Sequence, residues 1–374
     1  MDGRGRSRVV LSVVGARPNF MKLAPLARQL AQWRGAEHVI VHTGQHYDWE
    51  MSEAFLQDLG MPRPDYNLAV GSASHAQQTA AIMQRLEPIC VRVQPDIVLV
   101  YGDVNSTLAA ALVAAKLGIS VGHVEAGLRS RDWSMPEEIN RVVTDRLSDL
   151  LFIPSRDAGD NLCAEGVPSE RVHFVGNVMI DSLVALLPAV RRRNGRNRHA
   201  LGDGPYIVVT LHRPANVDDP ATLQELLVTL SELSEERQVL FPVHPRTRAR
   251  LHGLNWQPPN NALVLLEPVS YIDMLSLVMG SELVITDSGG LQEESSFLGI
   301  PCLTVRPNTE RPITCKVGTN RLVAAQRAAI RDAAHEVWGR RCDPAPVIER
   351  WDGRAAERIV VVLREGAWAG SCHT

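Results

Sequence analysis

Short, near-continuous apolar runs rich in β-branched residues alternate with longer helical stretches along nearly the whole chain. In the first half the runs are Val9–Val14, Val39–His42, Ile97–Tyr101, Val121–Val124, Leu151–Pro154 and Val172–Val175. In the second half they are Ile207–Leu211, Val239–Val243, Leu263–Leu266, Leu283–Thr286 and Cys302–Val305. Strands that are apolar on both sides and separated by helices predict parallel sheets covered on both faces. Between the two sets lies Leu187–Pro205, rich in Pro, Gly, Asn and Arg, with five arginines from Arg191 to Arg198. It reads as a solvated linker in preference to a nucleic-acid patch. The predicted fold class is therefore α/β, with two doubly wound parallel-sheet domains facing each other across an interdomain cleft. The first covers residues 1–186 and the second, nucleotide-binding one 206–354, joined by the linker 187–205. The last stretch, 355–374, with its helical part at Ala355–Arg364, is expected to pack back on the first domain.

In open parallel sheets ligands bind beyond the carboxyl ends of the strands, and the unusual polar residues collect there. The first four ends are Gly15-Ala16-Arg17-Pro18-Asn19, Thr43-Gly44-Gln45-His46, Gly102-Asp103-Val104-Asn105 and His123-Val124-Glu125-Ala126-Gly127. The second set offers His212-Arg213, His244-Pro245-Arg246, Glu267-Pro268 and Asp287-Ser288-Gly289-Gly290. One polar turn after a strand is ordinary; eight in register, from both halves, predict a single active site.

Thr286-Asp287-Ser288-Gly289-Gly290-Leu291-Gln292-Glu293-Glu294 runs from a strand through two glycines into a helix that Gly299 ends. Free N–H groups and the helix dipole at such a start suit a diphosphate, and glycine allows close approach. The plainer reading is a turn with an Asp or Ser cap. Glu294 is assigned to the ribose hydroxyls, and Arg17, Lys22 and Arg311 are candidates to neutralise phosphate charge. No G-x-G-x-x-G follows a strand, and Arg17 stands where that motif needs a glycine, so no dinucleotide cofactor is expected.

The acidic candidates are Asp103, Glu125 and Glu137, with His212 from the second domain. Pro136-Glu137-Glu138 marks a helix start, and Arg141, four residues on, shares a helix face with Glu137. A surface ion pair is the plain alternative for that pair.

Composition narrows the partners. The 374 residues are 45% hydrophobic and 22% charged, with a net charge of −3. That balance gives no general affinity for nucleic acid or a membrane surface. Six cysteines (Cys90, Cys163, Cys302, Cys315, Cys342, Cys372) are scattered without a C-x-x-C pair, which speaks for a reducing compartment and no metal framework. The polar start from Met1 to Arg8 carries no signal peptide, and no apolar run approaches the ~20 residues of a membrane span. A cytoplasmic location is expected.

These residues resemble the UDP-N-acetylglucosamine 2-epimerases, and the resemblance runs from Gly15-Ala16-Arg17-Pro18-Asn19-Phe20-Met21-Lys22 to Gly318-Thr319-Asn320. It is carried by Thr43–Asp48, Gly102–Leu108, His123–Ser130, Met135–Arg141, His244-Pro245-Arg246, Asp287–Glu294 and Thr309–Pro312. It implies two Rossmann-like domains in a GT-B-like arrangement, no cofactor, a UDP-sugar substrate and a homodimer. The implied reaction is anti elimination of UDP to a bound 2-acetamidoglucal, then re-addition with a proton on the other face of C2. Asp103, Glu125 and Glu137 match the family's catalytic carboxylates, and Arg141 and His212 its supporting groups. Arg17, Lys22, Ser288, Gly289, Gly290, Glu294 and Arg311 match nucleotide contacts, and His244 belongs to the same substrate-binding set.

The chain departs from the family pattern in three places. Ala215 replaces a glutamate beside Asn216, Met274 stands where relatives carry Phe under the uracil, and the positions around Asp48, Gln77 and Pro214 differ from the family's activator-binding set. The competing readings are a hydrolysing epimerase giving N-acetylmannosamine and UDP, an epimerase of a uronic or diacetamido UDP-sugar, a UDP-sugar glycosyltransferase, and an inactive UDP-sugar-binding regulator.

Overall fold

The computed structural model describes residues 7–44, 59–199, 201 and 204–366. Gln45–Asp48 of the Thr43–Asp48 motif, Cys372 and the end of the 355–374 stretch lie outside them. The chain forms two compact units: residues up to Val184 together with those from Glu349 onward, and Ala185–Ile348.

The first unit holds a seven-stranded sheet of β1 (Arg8–Val14), β2 (Ala36–His42), β3 (Tyr66–Asn67), β4 (Ile97–Tyr101), β5 (Ser120–Val124), β6 (Leu150–Ile153) and β7 (Val172–Phe174). Their order is β3-β2-β1-β4-β5-β6-β7, and every pairing is parallel. Burial on both faces explains the unbroken apolar runs: all five residues of β4 are fully buried. Helix Asn105–Lys116 packs closely because Ala109, Ala110, Ala111 and Ala114 bring its backbone near its neighbours. The terminal helix Ala355–Glu365 packs on helix Arg17–Ala31, and the Asp181 carboxylate accepts from Ala355 N (3.0 Å) and Ala356 N (2.7 Å), capping it.

The second unit holds a six-stranded sheet of β8 (Tyr206–Thr210), β9 (Gln238–Pro242), β10 (Leu263–Leu266), β11 (Leu283–Thr286), β12 (Cys302–Val305) and β13 (Asn320–Val323). The order is β10-β9-β8-β11-β12-β13, again parallel throughout. Each sheet reverses its strand order once, between β1 and β4 and between β8 and β11. Those switch points are where open α/β sheets leave a crevice for ligand.

Three features differ from the sequence reading, the first being that the second unit ends at Ile348 and not at 354. Strands β3 and β13 were not predicted; β3 has only two residues, and the Asn320-Arg321 start of β13 breaks the apolar signal. The stretch read as a linker from Leu187 is helical at first, since helix Val178–Arg193 runs through Pro188. Ile180, Leu183, Leu186 and Val190 are all buried at three- to four-residue spacing. At ~1.5–3 kcal/mol for each buried side chain, they outweigh the ~3 kcal/mol cost of an interior proline.

Candidate active site

In the first unit the ends of β1, β4 and β5 are tied together by side chains. Asn19, in the first turn of helix Arg17–Ala31, accepts from Gly15 N and Ala16 N (both 3.1 Å) and donates to Tyr101 O (2.9 Å). One turn on, the buried Lys22 ammonium ion-pairs with the buried Glu125 carboxylate. Arg141, also buried, donates from Nη1 to the Glu125 carbonyl (2.5 Å), while its Nη2 pairs with Asp103 and lies 3.8 Å from Glu125 Oε2. Two carboxylates and two cations thus form one compact cluster. Mutual compensation is what allows Lys22, Glu125 and Arg141 to be buried as charged groups.

The backbone is shaped around this cluster. Glu125 itself adopts φ +71°, a left-handed conformation a non-glycine residue takes only when its surroundings enforce it. At Gly102, with φ +64°, a side chain would be strained, and its Cβ would lie 2.6 Å from Lys22 Nζ and 3.2 Å from Glu125 Oε2. Asn140 donates to the Asp103 carbonyl (2.9 Å) and to Asn105 Oδ1 (3.2 Å). Asp103 keeps its side chain 25% exposed, so this carboxylate, unlike Glu125 at 1%, has a face open to a ligand.

Behind the cluster lies an ion chain that sequence reading missed. His123 is fully buried on β5, with Nε2 2.7 Å from Gly102 O and Nδ1 2.6 Å from Asp145 Oδ1. A carbonyl can only accept, so the ring donates from Nε2 to the peptide that precedes Asp103. Asp145 also pairs with Arg129 (2.7 Å) and accepts from Gly127 N (3.1 Å). Burial alone would push its carboxyl upward, but His123 and Arg129 hold it below the usual range.

The structure does not bring Glu137 into this group. It is exposed on the first turn of helix Pro136–Leu147, while its neighbour Glu138 is buried and accepts from Ser130 N (2.8 Å), Ser130 Oγ (3.0 Å) and Arg131 N (2.9 Å). Arg141 therefore turns inward to Asp103 and Glu125 and makes no ion pair along the helix surface with Glu137. Arg17 is exposed where its helix begins.

In the second unit the ends of β8 and β11 meet in the same way. Asp287 is wholly buried and His212 Nδ1 lies 2.9 Å from its Oδ1. The His212 and His244 rings sit 5.4 Å apart. His244 caps helix Pro245–Gly253 by accepting from Arg246 N at 3.2 Å. Burial, then the neighbouring His212, lowers its affinity for a proton.

Ser288 precedes helix Gly289–Leu298 and makes no side-chain cap, so its hydroxyl does not occupy the first-turn N–H groups. Arg311 lies against this helix start: a Cβ on Gly289 would be 2.9 Å from Arg311 Nη1. Its guanidinium is held by Glu293 (2.9 Å) and Glu310 (3.4 Å). Glycine backbone, helix N-terminus and a placed guanidinium together are the kind of arrangement that suits an anion. Glu294 follows, buried, accepting from the Tyr271 hydroxyl (2.6 Å). Burial pushes its carboxyl up to about 7 against that hydrogen bond, and Glu293 adds to the rise. Met274 packs against the apolar cluster that contains Tyr206 and Leu291. Ala215 sits in the short helix Pro214–Val217, whose Asn216 reaches Asp287 (3.1 Å).

Among the described residues, no cluster of His, Cys, Asp or Glu could hold a metal ion, and no helix is long and apolar enough to cross a membrane.

Both the sequence and the fold match known proteins. The family model described as UDP-N-acetylglucosamine 2-epimerase matches residues 28–364. The UDP-N-acetylglucosamine 2-epimerase of Methanococcus maripaludis is 41% identical over 322 residues, covering 84% of this chain and 87% of the relative. The UDP-2,3-diacetamido-2,3-dideoxy-D-glucuronate 2-epimerase of Pseudomonas aeruginosa is 41% identical over 336 residues, covering 88% and 92%. A crystal structure of Methanocaldococcus jannaschii UDP-GlcNAc 2-epimerase in complex with UDP-GlcNAc and UDP superposes with a TM-score of 0.88 at 38% identity, covering 96% of this chain and 100% of that one.

Proposed function

The chain belongs to the UDP-N-acetylglucosamine 2-epimerase family, and on that premise we propose that it interconverts UDP-N-acetylglucosamine and UDP-N-acetylmannosamine without hydrolysing them. The observation that carries this reading is the Asp103–Arg141–Glu125–Lys22 cluster at the β1/β4 switch point. The C2 proton of the sugar is not acidic by itself. Departure of UDP builds positive charge at C1 and makes that proton removable, so the site must supply a base, an acid for the opposite face, and a grip on the departed diphosphate.

Each requirement has residues suited to it. Asp103 and Glu125 supply carboxylates for proton transfer, with Arg141 and Lys22 offsetting their charge. Glu137 is the third carboxylate; on the first turn of its helix, it is exposed for contact with a ligand. Ser288, Gly289, Gly290 and Arg311 hold the diphosphate, Glu294 the ribose, and His212 and His244 attend the sugar-phosphate bond, with Arg17 as a further phosphate contact. The reaction runs as anti elimination to 2-acetamidoglucal and UDP, followed by re-addition of UDP with a proton on the other face of C2. No redox cofactor enters this scheme, because the C2–H bond is broken and remade by proton transfer while UDP leaves and returns, and no hydride is moved.

A second reading concerns the sugar alone. The P. aeruginosa relative, named for a diacetamido-glucuronate, is as similar as the M. maripaludis one. Proton NMR of the protein with UDP-GlcNAc in D2O separates the possibilities. Deuterium at C2 with a UDP-ManNAc signal supports the proposal; free ManNAc and UDP indicate the hydrolysing reaction. No turnover, with turnover of the diacetamido-uronate, establishes the second reading. The expected assembly is a homodimer, which light scattering of the same sample tests.

A further inference from the structure

Asp287 follows β11 immediately before the Ser288-Gly289-Gly290 turn, yet its side chain points to another strand end. Four donors converge on its buried carboxylate: His212 N (2.9 Å), Arg213 N (2.8 Å), Asn216 Nδ2 (3.1 Å) and His212 Nδ1 (2.9 Å). Its backbone is fixed as well, its N–H donating to Thr210 O (3.2 Å) and its carbonyl accepting from Arg213 Nε (3.0 Å). Burial alone would push the Asp287 carboxyl upward, but the His212 ring and the two backbone N–H groups hold it below the usual range. A carboxylate gripped on all sides has one orientation, and so has the imidazole attached to it.

We propose that Asp287 is the positioning residue for His212, fixing the tautomer with Nδ1–H turned inward to the carboxylate and Nε2 as the nitrogen offered to a ligand. The His212 side chain is 38% exposed, against 0% for Asp287, so the ring bridges a rigid anchor and the open face of the unit. A neutral imidazole has one donor and one acceptor nitrogen, and the bond made by one decides the role of the other. The same residue that leads into the diphosphate turn thereby aims the histidine. The catalytic part of the proposal rests on the reading of His212 as a group serving the sugar-phosphate chemistry. The tautomer does not.

The test uses the full chain and the near-isosteric D287N. The expected result is a kcat for epimerisation lowered ~10²-fold or more, with the Kd for UDP changed less than about threefold, as for loss of an oriented acid–base group. H212N should cost about as much, and the double variant H212N/D287N no more than either, because the two act as one unit. Additive losses, an unchanged kcat in D287N, or UDP affinity lost in step with kcat overturns the proposal. A second measurement needs no substitution in the protein observed: 15N NMR of the wild-type histidine rings, with H212N used only to assign the signal. Protonated Nδ1 and bare Nε2 in the neutral ring support the proposal, and the opposite tautomer overturns it. Failure of the wild-type protein to turn over or bind a UDP-sugar would instead sink the functional reading, and the tautomer would still be decided by NMR.

Discussion

Arg141 serves two carboxylates from different strand ends at once: its Nη2 pairs with Asp103 and lies 3.8 Å from Glu125 Oε2. At the same time its Nη1 donates to the Glu125 carbonyl (2.5 Å), a two-nitrogen grip that a single ammonium nitrogen cannot reproduce. Arg141→Met should therefore destabilise the first unit by roughly 3–5 kcal/mol, the cost of stripping the partner from buried charge. Arg141→Lys keeps the charge and should fold better than Arg141→Met, yet lose at least ~10²-fold in kcat by misplacing the carboxylates. Urea unfolding alongside initial rates separates the two effects.

Gly102→Ala probes the same cluster through the backbone. The φ of +64° costs an L-residue ~1–2 kcal/mol, and the new methyl would meet Lys22 Nζ at 2.6 Å. The expected outcome is a lower melting temperature and a lower kcat, with UDP affinity unchanged. Weaker UDP binding by calorimetry would show that Gly102 does more than make room for this ion pair.

Gly289→Ala acts on the nucleotide. Its Cβ would lie 2.9 Å from Arg311 Nη1 and displace the guanidinium from the helix start. A tenfold rise in the Kd for UDP, about 1.4 kcal/mol, is expected by titration calorimetry. Arg311→Gln should produce a rise of similar size, and wild-type affinity in both variants would remove the diphosphate from this site.

Glu294 makes stability depend on pH. Its carboxyl lies at about 7 in the fold, against an ordinary value of 4.5, so the folded chain favours the protonated form. The contribution is fully present below the ordinary value and declines as pH rises from about 4.5 to 7. Urea midpoints of wild type and Glu294→Gln, measured across that window, should converge at low pH and separate as pH rises, with the variant the more stable. Parallel pH profiles would contradict the assignment.

Asp181→Ala should loosen the terminal helix, since the carboxylate accepts from both Ala355 N and Ala356 N. A loss of about 1–2 kcal/mol is expected for such a cap. Faster amide exchange confined to Ala355–Glu365 and its contacts with helix Arg17–Ala31 would be the local signature.

Much of this architecture was legible because parallel strands buried on both faces must be apolar throughout, which made runs such as Ile97–Tyr101 and Leu283–Thr286 unmistakable. The glycines that open helix Gly289–Leu298 and the polar residues at the strand ends were legible for the same local reason: they interrupt that pattern. Which polar groups meet was decided elsewhere. Lys22 and Glu125 are 103 residues apart and Asp103 and Arg141 are 38 apart, and only the order β1-β4-β5 brings them together. Of the adjacent Glu137 and Glu138, the helix start told that both were first-turn acids, but the packing of the Ser130–Arg131 loop buried Glu138 and left Glu137 outside. Asp287 read as a turn or capping residue in its own segment, and the adjacency of β8 and β11 made it the anchor of His212. Periodicity determines which residues are buried, because the cost of exposing apolar surface is paid locally; the pairing of charges waits on strand order, because a Coulomb contact depends on distance in space and not along the chain.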